Sequence, residues 1–329
     1  MKKITVLIPA YNEALNIPAI TEALESLISH SVTLTVENNN SRNTTSVNLS
    51  SFQWEYLFVN DGSTDCTLDV LRNLRKENQR VNILNLSRNF GKENAMLAGM
   101  DYASGDAVII IDADLQDPIE AIPEMIYWWG HGYDDVYGKR INRGRESWLR
   151  RRLSLAYYSM LQGTTSIEIL ENVGDFRLLD RRVVNAICSL REVNRYTKGL
   201  FCWVGYNKKE VSFDRAERKN GKSKFNIRRL FNLAIDGVTS YTTKPLRISA
   251  IIGFIVSALS LGYMVFTFFK TIVWGEVVTG YPTLICSILF LSGIQLIALG
   301  IIGEYIGRIF TESKHRPPYI VESFNEDKK

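Results

Sequence analysis

Asp112 and Asp114 stand two residues apart at the C-terminal end of the apolar run Ala107-Val108-Ile109-Ile110-Ile111. In an extended chain a spacing of two puts both carboxylates on one side. Such a pair suits a hard cation, Mg2+ or Mn2+, whose remaining positions water and substrate phosphates would fill. A solvated turn can show the same two residues. The setting, after a buried strand and before Gln116-Asp117-Pro118, favours a ligand site, because open α/β sheets bind ligands beyond the carboxyl ends of their strands. Two more polar loops follow apolar runs in this way: Pro9-Ala10-Tyr11-Asn12-Glu13 and Asn60-Asp61-Gly62-Ser63-Thr64-Asp65. An acidic side chain in the second can hold a uracil or a ribose, or it can cap a helix and close a tight turn. The expected division is Asp61 for binding and Asp65 for capping.

Regular elements must position these loops. Strand patterns run over residues 4–10, 55–60, 81–86, 107–111 and 134–138, and helical patterns over 16–29, 67–78, 92–103 and 118–130. Strands alternating with helices predict an α/β fold, a mostly parallel sheet covered on both faces, in a domain spanning 1–225. Residues 36–51, rich in Asn, Ser and Thr, are expected to form an exposed polar loop insertion.

The mean hydropathy of −0.06 hides a shift at about Lys244, after which apolar residues dominate. Residues 248–269 and 283–302 carry no charge, and as helices they would reach about 33 and 30 Å, enough to cross a bilayer. Helices apolar on every face otherwise need a very large core. The short link 270–282 predicts a transmembrane hairpin within 244–310. Lys244 and Arg247 precede it and Arg308, Lys314 and Arg316 follow, while the link holds only Lys270 and Glu276. This bias predicts a multi-pass protein of the inner (plasma) membrane with the catalytic domain, both termini and a tail at 311–329 in the cytoplasm. Ahead of the hairpin, Ile227, Leu230, Phe231, Ile235 and Val238 share one helical face, which predicts an amphipathic interfacial helix at 226–243. The N-terminus runs straight into a strand pattern and is too short for a signal peptide.

Several classes are disfavoured. Four cysteines and three histidines are scattered, without the spacing of a zinc site or a disulfide framework. Neither Gly-x-Gly-x-x-Gly nor a Gly-x-x-x-x-Gly-Lys phosphate loop occurs. A net charge of +4 with no recognition motif argues against nucleic acid.

The loops at 9–13 and 60–65, together with Ser87-Arg88-Asn89-Phe90-Gly91-Lys92 and Asp112-Ala113-Asp114-Leu115-Gln116-Asp117-Pro118, resemble the ordered motifs of the family 2 GT-A inverting glycosyltransferases. Gly174-Asp175-Phe176-Arg177, Arg218-Lys219-Asn220-Gly221-Lys222-Ser223-Lys224-Phe225, the hairpin and Gly303-Glu304-Tyr305-Ile306-Gly307-Arg308 narrow the resemblance to the polyprenyl-phosphate glycosyltransferases, such as bactoprenol glucosyltransferases and dolichol-phosphate mannose synthases. It covers nearly the whole chain; the 36–51 segment departs from the usual short connection.

The resemblance implies a Rossmann-like GT-A domain that transfers a sugar, with inversion, from a nucleotide sugar to the phosphate of a polyprenol such as undecaprenyl phosphate in the lipid bilayer. UDP-glucose is the first choice of donor, with GDP-mannose and UDP-aminoarabinose as alternatives. By analogy Pro9, Tyr11, Glu13 and Asp61 hold the nucleoside, and Asp112, Asp114 and Gln116 hold metal and diphosphate. Arg140, Arg218, Ser223 and Lys224 would grip the acceptor phosphate, guanidinium being matched to phosphate geometry. Asp175 would orient a hydroxyl, act as a base, or hold Arg177 or a loop. The acceptor phosphate is already ionised, so no strong base is required. A homo-oligomer stays open. A processive polysaccharide synthase is disfavoured because Gln-x-x-Arg-Trp and further membrane helices are absent. A non-catalytic membrane scaffold would not need the acidic pair.

Overall fold

The structure, a computed structural model, describes residues 1–29, 31–38, 41–141, 173–193, 195–213, 244–274, 280–325 and 327–328. The chain divides into two compact units. The larger takes Met1–Gln162, Ile167–Asn226 and Pro317–Lys329, and the smaller Gly163–Ser166 and Ile227–Arg316.

In the larger unit β1 (Lys3–Ala10), α1 (Ile17–Ile28), β2 (Ser31–Asn38), β3 (Ser41–Asn48), β4 (Gln53–Asn60), α2 (Thr67–Glu77), β5 (Val81–Leu86), α3 (Lys92–Tyr102), β6 (Ala107–Ile110), α4 (Ile122–Gly130) and β7 (Asp135–Arg140) follow in order. Next come β8 (Val173–Asp180), α5 (Arg181–Ser189), α6 (Thr197–Trp203) and β9 (Lys208–Phe213). The smaller unit contributes α7 (Lys244–Trp274) and α8 (Tyr281–Ser313), and β10 (Val321–Phe324) and β11 (Asp327–Lys328) return to the larger one.

Nine strands form one sheet in the order β11-β10-β5-β4-β1-β6-β8-β7-β9. The pairings make only β8 and β10 run against the rest, as the mostly parallel expectation requires. The central strands are apolar on both faces because helices cover both. Ile4, Val6, Ile8, Tyr56, Phe58 and Ile109 pack on one side, and Leu7, Leu57, Val59, Val108 and Ile110 on the other, all fully buried. Alternation with a period of two divides the two cores.

Two expectations are corrected. Much of the 36–51 loop is a hairpin: β2 and β3 pair in antiparallel register from Ser31↔Asn48 to Asn38↔Ser41, and a single 3-10 turn at Leu49–Ser51 follows. The Asn and Ser content masked the alternation of Ser31-Val32-Thr33-Leu34 and the β-branched residues, which favour a half-buried strand. Val32, Leu34 and Val47 lie against the core, with Val32 directly opposite Val47. The 311–329 tail is likewise no free segment. β10 adds to β5 in antiparallel register, the Tyr319 hydroxyl donates to Asp101 at 2.5 Å, and Glu322 accepts from Asn85, which itself accepts from Asn60. Unpaired groups at a sheet edge are a template for such an addition.

The expected spans at 248–269 and 283–302 fall inside α7 and α8. Among the described residues one segment, Phe290–Ser313, is long and apolar enough to cross a membrane, with a mean hydropathy of 1.5 and none of its most apolar window buried. In α7, Ile251, Phe254, Leu259 and Phe266 are also exposed. The predicted interfacial helix at 226–243 lies outside the described residues.

Candidate active site

The strand ends β1, β4 and β6 point the same way, so the loops after them converge. They enclose a pocket of about 380 Å³ lined by Pro9, Tyr11, Glu13, Asp61, Lys92, Asp112 and Asp114, among others. Of the residues expected to hold nucleoside, metal and diphosphate, Pro9, Tyr11, Glu13, Asp61, Asp112 and Asp114 line it, and Gln116 is not among its lining. Asn12 staples the first two loops: its backbone N–H donates to Ser63, and its Oδ1 accepts from the Thr64 N–H at 2.8 Å. Its φ of +57° is one that Asn tolerates better than most residues.

Asp61 is 3% exposed and fixes the next wall. Its two carboxylate oxygens accept from the backbone N–H groups of Phe90 and Gly91, at 2.7 and 2.9 Å. Burial raises its pKa even against these bonds. Gly62 lets this approach happen. Its φ is +61°, and a Cβ there would lie 2.3 Å from the Arg88 carbonyl carbon. Asp65 is not the cap of α2, which is Cys66 without a side-chain cap bond; it closes the turn just before the helix, accepting from the Thr67 N–H at 3.0 Å.

At the end of β6, the Gln116 N–H donates to the Asp114 carboxylate at 3.2 Å, and Leu115 sits at a φ of +56°. A leucine in the left-handed region is a strained backbone of the kind found at functional sites. Gln116 itself is buried beside this turn.

Asp175 arrives from the antiparallel part of the sheet. The β6–β8 register pairs Ile110 with Arg177, and two residues further on it sets Asp112 opposite Asp175. Lys92, the first residue of α3, stands between them, with its Nζ 2.6 Å from Asp112 Oδ1 and 2.6 Å from Asp175 Oδ2. Burial opposes the Asp175 charge, but Lys92 and Lys198 outweigh it and bring the carboxyl down to about 2. Asp175 is therefore ionised at neutral pH, and its Oδ1 is buried with no hydrogen-bond partner among the described residues.

Asp175 makes its ion pair with Lys92, and Arg177 helps to lower its pKa through its charge. Arg177 is fully buried, pairs with Asp135 at 3.0 Å, donates to the Gly174 carbonyl at 3.3 Å and stacks on Phe201 at 3.7 Å. It locks β8 to β7 and so sets the height of Asp175. Arg140, at the end of β7, lies 3.6 Å from Asp117, which is 4% exposed. Burial, with Asp112 nearby, pushes Asp117 up to about 6. A Cβ on Gly174 would come within 3.1 Å of the Arg140 guanidinium, so glycine leaves room for it. Arg218, Ser223 and Lys224 lie outside the described residues.

Asp112 and Asp114 fit a hard divalent cation: they are oxygen donors lining one pocket, and Asp112 already draws an ammonium. Among the described residues no group of three Asp, Glu, His or Cys side chains could hold an ion alone, and an ion held by this pair would draw its other ligands from water or a bound ligand. Sequence reasoning missed Lys92, Asn12, Asp117 and Gly174 as builders of the site. Each lay in or beside a motif already recognised, but only the cross-strand register shows what it meets.

A family model described as Glycosyl transferase family 2 matches residues 5–188, and one described as GtrB C-terminal hairpin matches 244–309. A Bacillus subtilis protein described as glycosyltransferase CsbB is 43% identical over 98% of this chain and 92% of its own length. The bactoprenol glucosyl transferase of Shigella phage SfV is 43% identical over 98% of each chain. Among solved structures, glucosyl-3-phosphoglycerate synthase from Mycobacterium tuberculosis with Mn2+, UDP-glucose and phosphoglyceric acid is similar at a TM-score of 0.42 and 19% identity, over 72% of this chain and 78% of that one.

Proposed function

Because the chain belongs to glycosyl transferase family 2, we propose that it transfers glucose from UDP-glucose, with inversion, to the phosphate of a membrane polyprenol. The observation that carries this reading is the pocket where Asp112 and Asp114 meet the 9–13 loop, in a chain that a bactoprenol glucosyl transferase matches end to end. Pro9, Tyr11, Glu13 and Asp61 take the nucleoside, and Asp61 also holds the 90–91 loop against it. A bound Mg2+ or Mn2+ would neutralise charge developing on the departing nucleotide, with Asp112 and Asp114 as its protein ligands and Gln116 supporting their turn.

Asp175, ionised and low in pKa, is a poor proton acceptor and serves to orient. The acceptor phosphate needs no deprotonation to attack the anomeric carbon. In this reading Arg140 pairs with it, helped by Arg218, Ser223 and Lys224 from the following segment. A fork of guanidinium donors binds phosphate bidentately. Lys244 and Arg247 before the hairpin and Arg308, Lys314 and Arg316 towards its end support an inner-membrane protein with both termini in the cytoplasm.

The test is to incubate the purified full chain with polyprenyl phosphate, Mg2+ or Mn2+ and a panel of radiolabelled nucleotide sugars, then to count lipid-extractable label. UDP-glucose should label the lipid most. Label from GDP-mannose or a UDP-aminoarabinose donor alone would overturn the choice of sugar, and label from no donor would overturn the reaction.

A further inference from the structure

Lys92 is used by none of the roles above, yet it occupies the most charged point of the site. It opens α3, where the helix dipole disfavours a cation. Its ammonium is held there by carboxylates from two strands, Asp112 and Asp175, each at 2.6 Å. The loop that presents it is fixed from behind, because Asp61 binds the Phe90 and Gly91 N–H groups. Gly91 has a φ of +89°, which aims the start of α3 at the pocket. Lys92 and both Asp112 and Asp114 line that pocket together. Without Lys92, Asp112 and Asp175 would face each other as two bare like charges, an arrangement that disfavours ionisation of both.

We propose that Lys92 is the resident counterion of the metal-free site and makes divalent-ion binding depend on the nucleotide diphosphate. An ion arriving alone must take Asp112 from Lys92, leaving the ammonium with Asp175 only. An ion arriving with a nucleoside diphosphate meets a different balance. The diphosphate oxygens both complete the ion's shell and offer Lys92 a new anionic partner, so nothing is left unpaired. The pocket therefore takes a free cation only weakly and accepts the cation and diphosphate as a set. Lys92 is a positioning residue here: through Asp112 and Asp175 it sets where the cation and the acceptor side of the site come to rest. This rests on the donor-site reading above.

The test measures Mn2+ binding to the full-length protein by electron paramagnetic resonance, with and without UDP and with no acceptor present. Wild type should bind Mn2+ weakly alone and much more tightly with UDP. Lys92→Met, close in length but uncharged, should bind Mn2+ alone on the order of tenfold more tightly, the worth of one partly exposed ion pair, and should gain less from UDP. Lys92→Arg, which keeps the charge, should behave like wild type. Thermal melting of each variant shows that it is folded. Lys92→Met binding Mn2+ alone no more tightly than wild type would overturn the counterion role while leaving the donor site intact. Failure of the wild type to bind Mn2+ with UDP would instead strike the donor-site reading itself.

Discussion

The two halves of the nine-stranded sheet serve the site in different ways: the parallel half lines the pocket, and the antiparallel half meets it through Asp175 on Lys92. On one side β5, β4, β1 and β6 are parallel neighbours, each followed by a loop at the same edge. On the other, β8 and β7 fold back in antiparallel register and bring Asp175, Arg140 and the buried Arg177–Asp135 pair. The first half presents loops that line the pocket. The second supplies charges that must be held by other charges, and a buried ion pair sets their height. The parallel half is thus expected to fail by losing chemistry, and the antiparallel half by losing structure.

The largest expected effect separates the two in one step. Arg177→Ala strands Asp135 as a buried, unpaired charge and should destabilise the larger unit by about 3–5 kcal/mol, read as a lower melting temperature. A melting temperature equal to wild type would mean that the β8–β7 junction does not depend on this pair.

A smaller effect sharpens the boundary between the halves, where Asp117 faces Arg140. The folded pKa of Asp117 is raised to about 6 from an ordinary 3.8, so the folded state holds the proton more tightly than the unfolded one. Its contribution is most favourable below pH 3.8 and is lost as pH rises through about 6. In metal-free protein, wild type should therefore lose on the order of 3 kcal/mol relative to Asp117→Asn across that interval. Parallel pH profiles of stability for the two proteins would contradict this.

The smallest effect lies at the far edge of the parallel half, where the C-terminal strand joins. Tyr319→Phe removes the hydroxyl that donates to Asp101, while Arg191 keeps its two bonds to that carboxylate. The expected cost is about 1 kcal/mol, seen as faster amide exchange in β10 with the rest of the sheet unchanged.

The same contrast explains what was legible in the sequence. The parallel half is built from neighbouring strand–helix units, so apolar runs located its strands to within a few residues and put Asp112, Asp61 and the 9–13 loop at the strand ends. The antiparallel half depends on a pairing between β6 and β8 across more than sixty residues, and no local pattern announces that Asp112 will face Asp175. Lys92 was visible as part of Phe90-Gly91-Lys92 but not as the bridge between them. Composition also misled at 36–51, where polar residues hid a hairpin, and at 311–329, where a short strand after a long helix read as a tail.

Metal-assisted sugar transfer at the Asp112–Asp114 pocket, as proposed, stands or falls with Asp114→Asn in the full-length protein. Lipid-extractable label from UDP-glucose is counted beside a melting curve. The melting temperature should be unchanged and transfer should fall about a hundredfold or more, the scale of several kcal/mol of charge stabilisation, with the same loss for wild type in excess EDTA. Wild-type transfer by Asp114→Asn, or full transfer in EDTA, would contradict it.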